Sequence, residues 1–161
     1  MRAKTKEPIE TKGDAIVLAL RARGVDSTDL RYCVHEASHA LDAKLREPWS
    51  NKAVDRAMKR IGPVRAARSE ILARAVEQLV CKRLGVETRS LETWVGMSVM
   101  EAIKFRDPFL SYEDALVAAK RTMGTAEAED RATEIVALVM KADGVKRVPV
   151  KSKRTQSTVK T

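Results

Sequence analysis

Residues 28–46 read TDLRYCVHEASHALDAKLR, and this stretch decides the fold class. Leu30, Val34, Ala37, Leu41 and Leu45 recur at steps of three and four, the period of one face of an α-helix. The pattern predicts a long helix over about 28–46, capped by Ser27 or Thr28 and ended before Pro48. Working outward, the other segments read the same way. Residues 14–23 form an apolar helix that stops at Gly24. Ser50 caps a short helix that ends near Ile61, where Gly62-Pro63 breaks the chain. Pro63 opens a helix over 64–84 with Gly85 just past its end and a core stripe of Leu72, Val76, Leu79, Val80 and Leu84. Ser90 caps a helix over about 91–105, which Asp107-Pro108 ends. Ser111 with Asp114 has the spacing of a capping box for 112–123. Gly124-Thr125 then separates a last helix over about 126–142. The expected fold class is all-α, helix packed on helix in a compact bundle. The places left for a small sheet are 85–90 and 145–150.

Composition agrees with one such domain. The chain has 161 residues, 44% hydrophobic and 33% charged, with only 7 Gly and 5 Pro to break helices. Aromatic residues make up 4%, too few for a base-stacking platform. No apolar run is longer than Ala15–Leu20, far short of the roughly 20 residues that span a bilayer. Residues 1–12 are polar and lack a hydrophobic signal core. Cys33 and Cys81 do not make a disulfide framework, so a reducing, cytoplasmic setting is the simpler expectation.

The net charge of +9 sits at the ends. Residues 141–161 hold seven basic side chains and one acidic, while 13–140 hold 20 basic and 19 acidic. The expected organisation is a flexible N-terminus over 1–12, a helical domain over 13–144 and a flexible basic tail over 145–161. The tail reads either as a solubilising end or as a weak contact for nucleic acid or another acidic surface. A DNA-mimic role would need an acidic chain, and this one is basic.

The stretch also carries chemistry. His35-Glu36-Ala37-Ser38-His39 is an HExxH pattern, and it holds both histidines of the chain. Residues i and i+4 share a helix face, so both imidazoles can reach one cation. Glu36 is turned about 100° from His35, an offset that suits a metal-bound water better than the metal. His35 and His39 are therefore the candidate metal ligands, and Glu36 the candidate catalytic base. A catalytic zinc usually takes a third protein ligand and leaves a fourth position to water. Position 45, where one HExxH class has its third ligand, is Leu45. Glu70, Glu77 and Cys81 share a face of the helix over 64–84. Glu70 is the first choice, Glu77 the alternative and Cys81 the third. Read blandly, Glu70 and Glu77 form a solvated face that pairs with Arg74 or lysines. Tyr112 and nearby arginines are candidates for an oxyanion donor, although Tyr112 reads first as core packing. Trp94, Val95, Met97 and Met100 also read as core.

On these residues the chain resembles the gluzincin class of zinc metallopeptidases, in which HExxH on one helix is completed by a Glu on the next. More narrowly it resembles the ImmA/IrrE-type metallopeptidases of phages, integrative elements and stress-response regulators. It also resembles the C-terminal metallopeptidase domain of ArdC-type antirestriction proteins. The shared pieces are Val34-His35-Glu36-Ala37-Ser38-His39-Ala40, Glu70-x-x-Ala73 and Cys81-x-x-Leu84-Gly85-Val86-Glu87, all within residues 30–90. The resemblance implies a zincin-like domain, Zn2+ as cofactor, and hydrolysis of a cellular protein. It also implies a phage or mobile-element origin. The runner-up is an inactive scaffold of the same kind that binds a protein or nucleic acid, and a metal-free helical nucleic-acid binder is a third reading. The chain departs from the class in two ways. Arg74 stands where an acidic residue often orients a metal-bound His, and no strand precedes the HExxH helix in 1–27.

Overall fold

A computed structural model describes residues 12–87, 90–96 and 99–141. All regular structure among them is helical: α1 (Lys12–Ala22), α2 (Leu30–Asp42), α3 (Asn51–Ile61), α4 (Pro63–Leu84), α5 (Leu91–Gly96), α6 (Val99–Arg106), α7 (Tyr112–Met123) and α8 (Ala126–Lys141). No strand occurs among the described residues. Residues 88–89 and 145–150 lie outside them, as do the tail over 145–161 and residues 1–11. No described helix is long and apolar enough to cross a membrane.

α4 is the axis of the bundle. Its 22 residues pack against α2, α8, α7, α3, α6 and α5. A helix surrounded in this way buries more than one stripe. Leu72, Val76, Val80 and Leu84 enter the main core with Ile16, Leu20, Val34, Trp49 and Ile135. Leu79 is only partly buried. Ala75 joins that core, while Ala66, Ala67 and Ala73 are buried outside it, where small side chains let the neighbouring helices approach closely. A second, smaller cluster of Ile71, Leu91, Ala115 and Ala119 joins α4 to α5 and α7. Tyr112 packs on this cluster and donates its hydroxyl to the Glu92 carbonyl at 3.2 Å, so it belongs to the packing.

The helix ends follow local chemistry, with four corrections. The cap of α2 is Asp29, not Ser27 or Thr28: its carboxylate accepts from the Arg31 and Tyr32 amides. Asp29 is extended (ψ 119°), as an N-cap requires, and its charge favours the positive helix end. α2 also stops at Asp42 rather than near 46, because Lys44 turns into the left-handed region at φ 55°. The helix expected over 91–105 is two, α5 and α6. The side chains of Trp94, Val95, Met97 and Met100 lie outside the described residues. Lys12, placed in the N-terminal segment by sequence, opens α1. Gly85 ends α4 in the left-handed conformation (φ 66°, ψ 35°), with its amide bonded back to the last turn.

Gly24 shows why a glycine ends α1. Its φ is +105°, and a Cβ there would lie 2.6 Å from Pro48 Cβ and 2.8 Å from the Trp49 nitrogen. The chain between α2 and α3 closes on it: the Trp49 amide donates to the Arg23 carbonyl at 2.8 Å. Trp49 is fully buried, and the Arg23 guanidinium lies 4.3 Å from its ring centroid.

Candidate metal centre

α2 is buried around its whole circumference from Cys33 to Ala40. His35, Glu36 and His39 are thus enclosed by the bundle, not set at the margin of a buried face. α4 supplies the third group. Glu70 Oε2 lies 3.1 Å from His35 Nε2, and Glu70 Oε1 lies 3.1 Å from His39 Nε2. The two Nε2 atoms are 3.0 Å apart. The rings meet edge to face at 86°, with centroids 4.6 Å apart, so both point Nε2 at one spot. His35, His39 and Glu70 are the group among the described residues whose ligand atoms could hold a metal ion.

The residues present fit such an ion. Bonds of about 2.0–2.1 Å in tetrahedral geometry separate ligand atoms by roughly 3.3 Å, close to the spacing of these three. The donor set also calls for a positive charge. Three lone-pair carriers face one another, and a proton or a cation between them turns repulsion into bonding. Two imidazoles and a carboxylate suit zinc and similar divalent ions. His39 Nδ1 is hydrogen-bonded to Ser69 Oγ at 2.8 Å, and both residues are buried. With Nδ1–H donating to that oxygen, the Nε2 lone pair is left for a cation. His35 Nδ1 is buried and has no hydrogen-bond partner.

Burial governs the protonation states. The His35 imidazole is held down to about 3, chiefly by burial and then by the charges of His39 and Arg74, so the ring is neutral at ordinary pH. Burial alone would raise Glu70, but hydrogen bonds from His35 and His39 outweigh it and hold the carboxyl well below the usual range. Glu36 is pushed up to about 7, first by burial, with the Glu70 and Asp55 charges adding to it. The Tyr32 phenol is raised by burial and by the charges of Glu36, Asp55 and Glu70. The two carboxylates in the cluster are therefore set far apart in acidity, the arrangement that separates a ligand from a proton carrier.

Sequence reasoning named His35, Glu36, His39 and Glu70; the structure brings the ligand atoms of His35, His39 and Glu70 together and buries Glu36. It does not bring the other two candidates there. Glu77 is fully buried and pairs with Arg74 at 3.1 Å. Cys81 is a buried free thiol outside the metal group. Glu70 does not form the surface pair with Arg74. It is bonded instead by Arg106, the last residue of α6, whose Nη1 donates to Oε1 at 2.6 Å. Ser69 and Arg106 were missed, as no spacing rule links them to HExxH. The one available signal was the adjacency of Ser69 to Glu70. The Ser69 hydroxyl fixes the angle of the His39 ring through its hydrogen bond to Nδ1.

No family model, curated protein or solved structure matches this chain.

Proposed function

We propose that this protein is a zinc-dependent hydrolase of the metallopeptidase kind, acting on an amide bond of a cellular protein. The observation that carries this reading is the convergence of His35 Nε2, His39 Nε2 and the Glu70 carboxylate, at 3.0–3.1 Å from one another. His35, His39 and Glu70 would hold the ion. When bound, zinc supplies Lewis acidity, which polarises a carbonyl and makes water acidic near neutral pH.

The rest of the chemistry belongs to the chain. Glu36 follows His35 directly, feels the charges of His39 and Glu70, and has its carboxyl poised near 7. A group so tuned takes a proton from the nucleophile and returns it to the leaving amine at neutral pH. Ser69 fixes the orientation of the His39 ring. Arg106 neutralises Glu70 and holds it in place.

The test has two steps. Purified wild type should carry about one zinc per chain, and His39→Ala should lose it. Glu36→Gln should keep the metal and abolish hydrolysis of a casein or peptide-library substrate. A wild type that takes up no zinc refutes the reading. The enclosed position of the cluster, with His35, Glu36, His39 and Glu70 all buried, favours a second reading: a metal-bearing scaffold that binds a partner without turnover. Under it, Glu36→Gln would leave partner binding untouched.

A further inference from the structure

α6 buries Ile103, and a residue two positions on is turned about 200° away from it. Phe105 therefore faces outward and is 90% exposed, and Phe109, in the turn that follows, is 92% exposed. These are the chain's two phenylalanines. Leu18, Val64 and Val117, the large aliphatic side chains exposed elsewhere, are about half covered. Single apolar residues at a surface are ordinary, whereas neighbouring ones mark places where something binds. The turn that carries the pair is hydrogen-bonded: the Phe109 amide donates to Asp107 Oδ1 at 3.2 Å, and the Leu110 amide donates to the Asp107 carbonyl at 3.1 Å.

Between the two rings in sequence stands Arg106, whose Nη1 donates to Glu70 Oε1 at 2.6 Å. The exposed aromatic pair thus flanks the residue by which α6 reaches the metal centre. From Phe105 along the Arg106 side chain to Glu70, the path is no longer than about five residues of extended chain. We propose that Phe105 and Phe109 dock an apolar segment of the polypeptide substrate, a few residues from the bond to be cut. The inference rests on the hydrolase reading of the metal centre and gives it a substrate class: proteins that offer an extended segment with large apolar side chains.

Size and charge select this occupant. Two phenylalanine side chains present about 300–500 Å². Each partner of a stable dimer buries roughly 800 Å², so the pair is too small for a second copy and matches one or two bulky side chains of a short segment. Asp107 lies within the turn, and Glu113 and Asp114 open α7 just beyond it. Arg106 is already paired with Glu70. The charge around the rings therefore opposes an anionic lipid surface.

The test is an array of immobilised decapeptides probed with the zinc-loaded full chain carrying Glu36→Gln, followed by fluorescence anisotropy with the best peptides in labelled form. The peptides retained should carry Leu, Ile, Met or Phe. Adding Phe105→Ser and Phe109→Ser should weaken their binding by at least about tenfold. Zinc content and melting temperature should not move, because the two side chains are exposed. Leu18→Ser, an exposed apolar position on α1, should leave peptide affinity unchanged. Retention of no peptide, retention without apolar preference, or undiminished affinity in the double-serine variant would overturn the proposal. So would self-association in sedimentation velocity, or binding to phosphatidylcholine vesicles, that the double substitution abolishes. The first would assign the rings to a second copy and the other to a membrane. Zinc uptake and cleavage by the wild type are read separately. Docking without cleavage refutes the hydrolase alone, and cleavage indifferent to apolar residues refutes the docking alone.

Discussion

The residue that deserves a mutation before any other is Ser69. Among the described residues its hydroxyl is the hydrogen-bond partner of His39 Nδ1, at 2.8 Å, and it is buried. Partners of this kind set both the tautomer and the angle of a ligating ring, and losing one lowers metal affinity by about 10- to 100-fold. Ser69→Ala should therefore weaken zinc binding in a chelator competition by that factor, with the helical circular dichroism spectrum unchanged, since Ala suits a helix interior better than Ser. Unchanged zinc affinity would show that packing alone orients His39. The pattern in α2 was legible because i, i+4 spacing on a helix is a rule of geometry. Glu70 was legible as a member of a short set on one face of the next long helix. Ser69 and Arg106 were not, because they are defined by tertiary contacts that no periodicity encodes.

At the scale of elements, helix existence was readable almost throughout, and helix ends were readable where a single residue decides them. Gly24, Ser50, Gly62-Pro63, Gly85 and Ser111 all mark ends that the backbone respects. The misses have physical causes. Three capping residues in a row, Ser27, Thr28 and Asp29, compete for one helix start, and the carboxylate takes it with two amide bonds. The apolar stripe of α2 continues to Leu45, but Lys44 in the left-handed conformation ends the helix first. Burial of α4 on all sides blurs its stripe, because alanines carry no periodic signal. The tightest joint between elements is Gly24 against Pro48 and Trp49. Gly24→Ala combines a positive φ with a 2.6 Å clash, and should lower unfolding free energy by about 2–4 kcal/mol in urea titration. A loss under about 1 kcal/mol would mean that the turn before α2 yields easily.

For the molecule as a whole, the buried ionisable groups tie stability to pH. In the metal-free chain the folded-state value of His35 lies near 3 against an ordinary 6.5. Its contribution is present above about 6.5 and is lost as pH falls toward 3, and Glu70, also lowered, acts in the same direction at lower pH. Glu36 works the other way. Raised from 4.5 to about 7, it stabilises at low pH, and that contribution is lost as pH climbs through 7. Glu36→Gln removes this loss. Relative to wild type, the metal-free variant should gain stability between pH 4.5 and 7.5, by up to about 3 kcal/mol in urea titrations. A difference flat with pH would place the Glu36 carboxyl in water. One contact extends these local effects across the bundle. Arg106 fastens the end of α6 to the same carboxylate oxygen that faces His39. An ion that claims this oxygen competes with the guanidinium, so loading the centre slackens a tether. Hydrogen–deuterium exchange should then quicken over 99–106 on zinc addition while it slows in α2, making a surface helix the gauge of whether the interior is charged with metal.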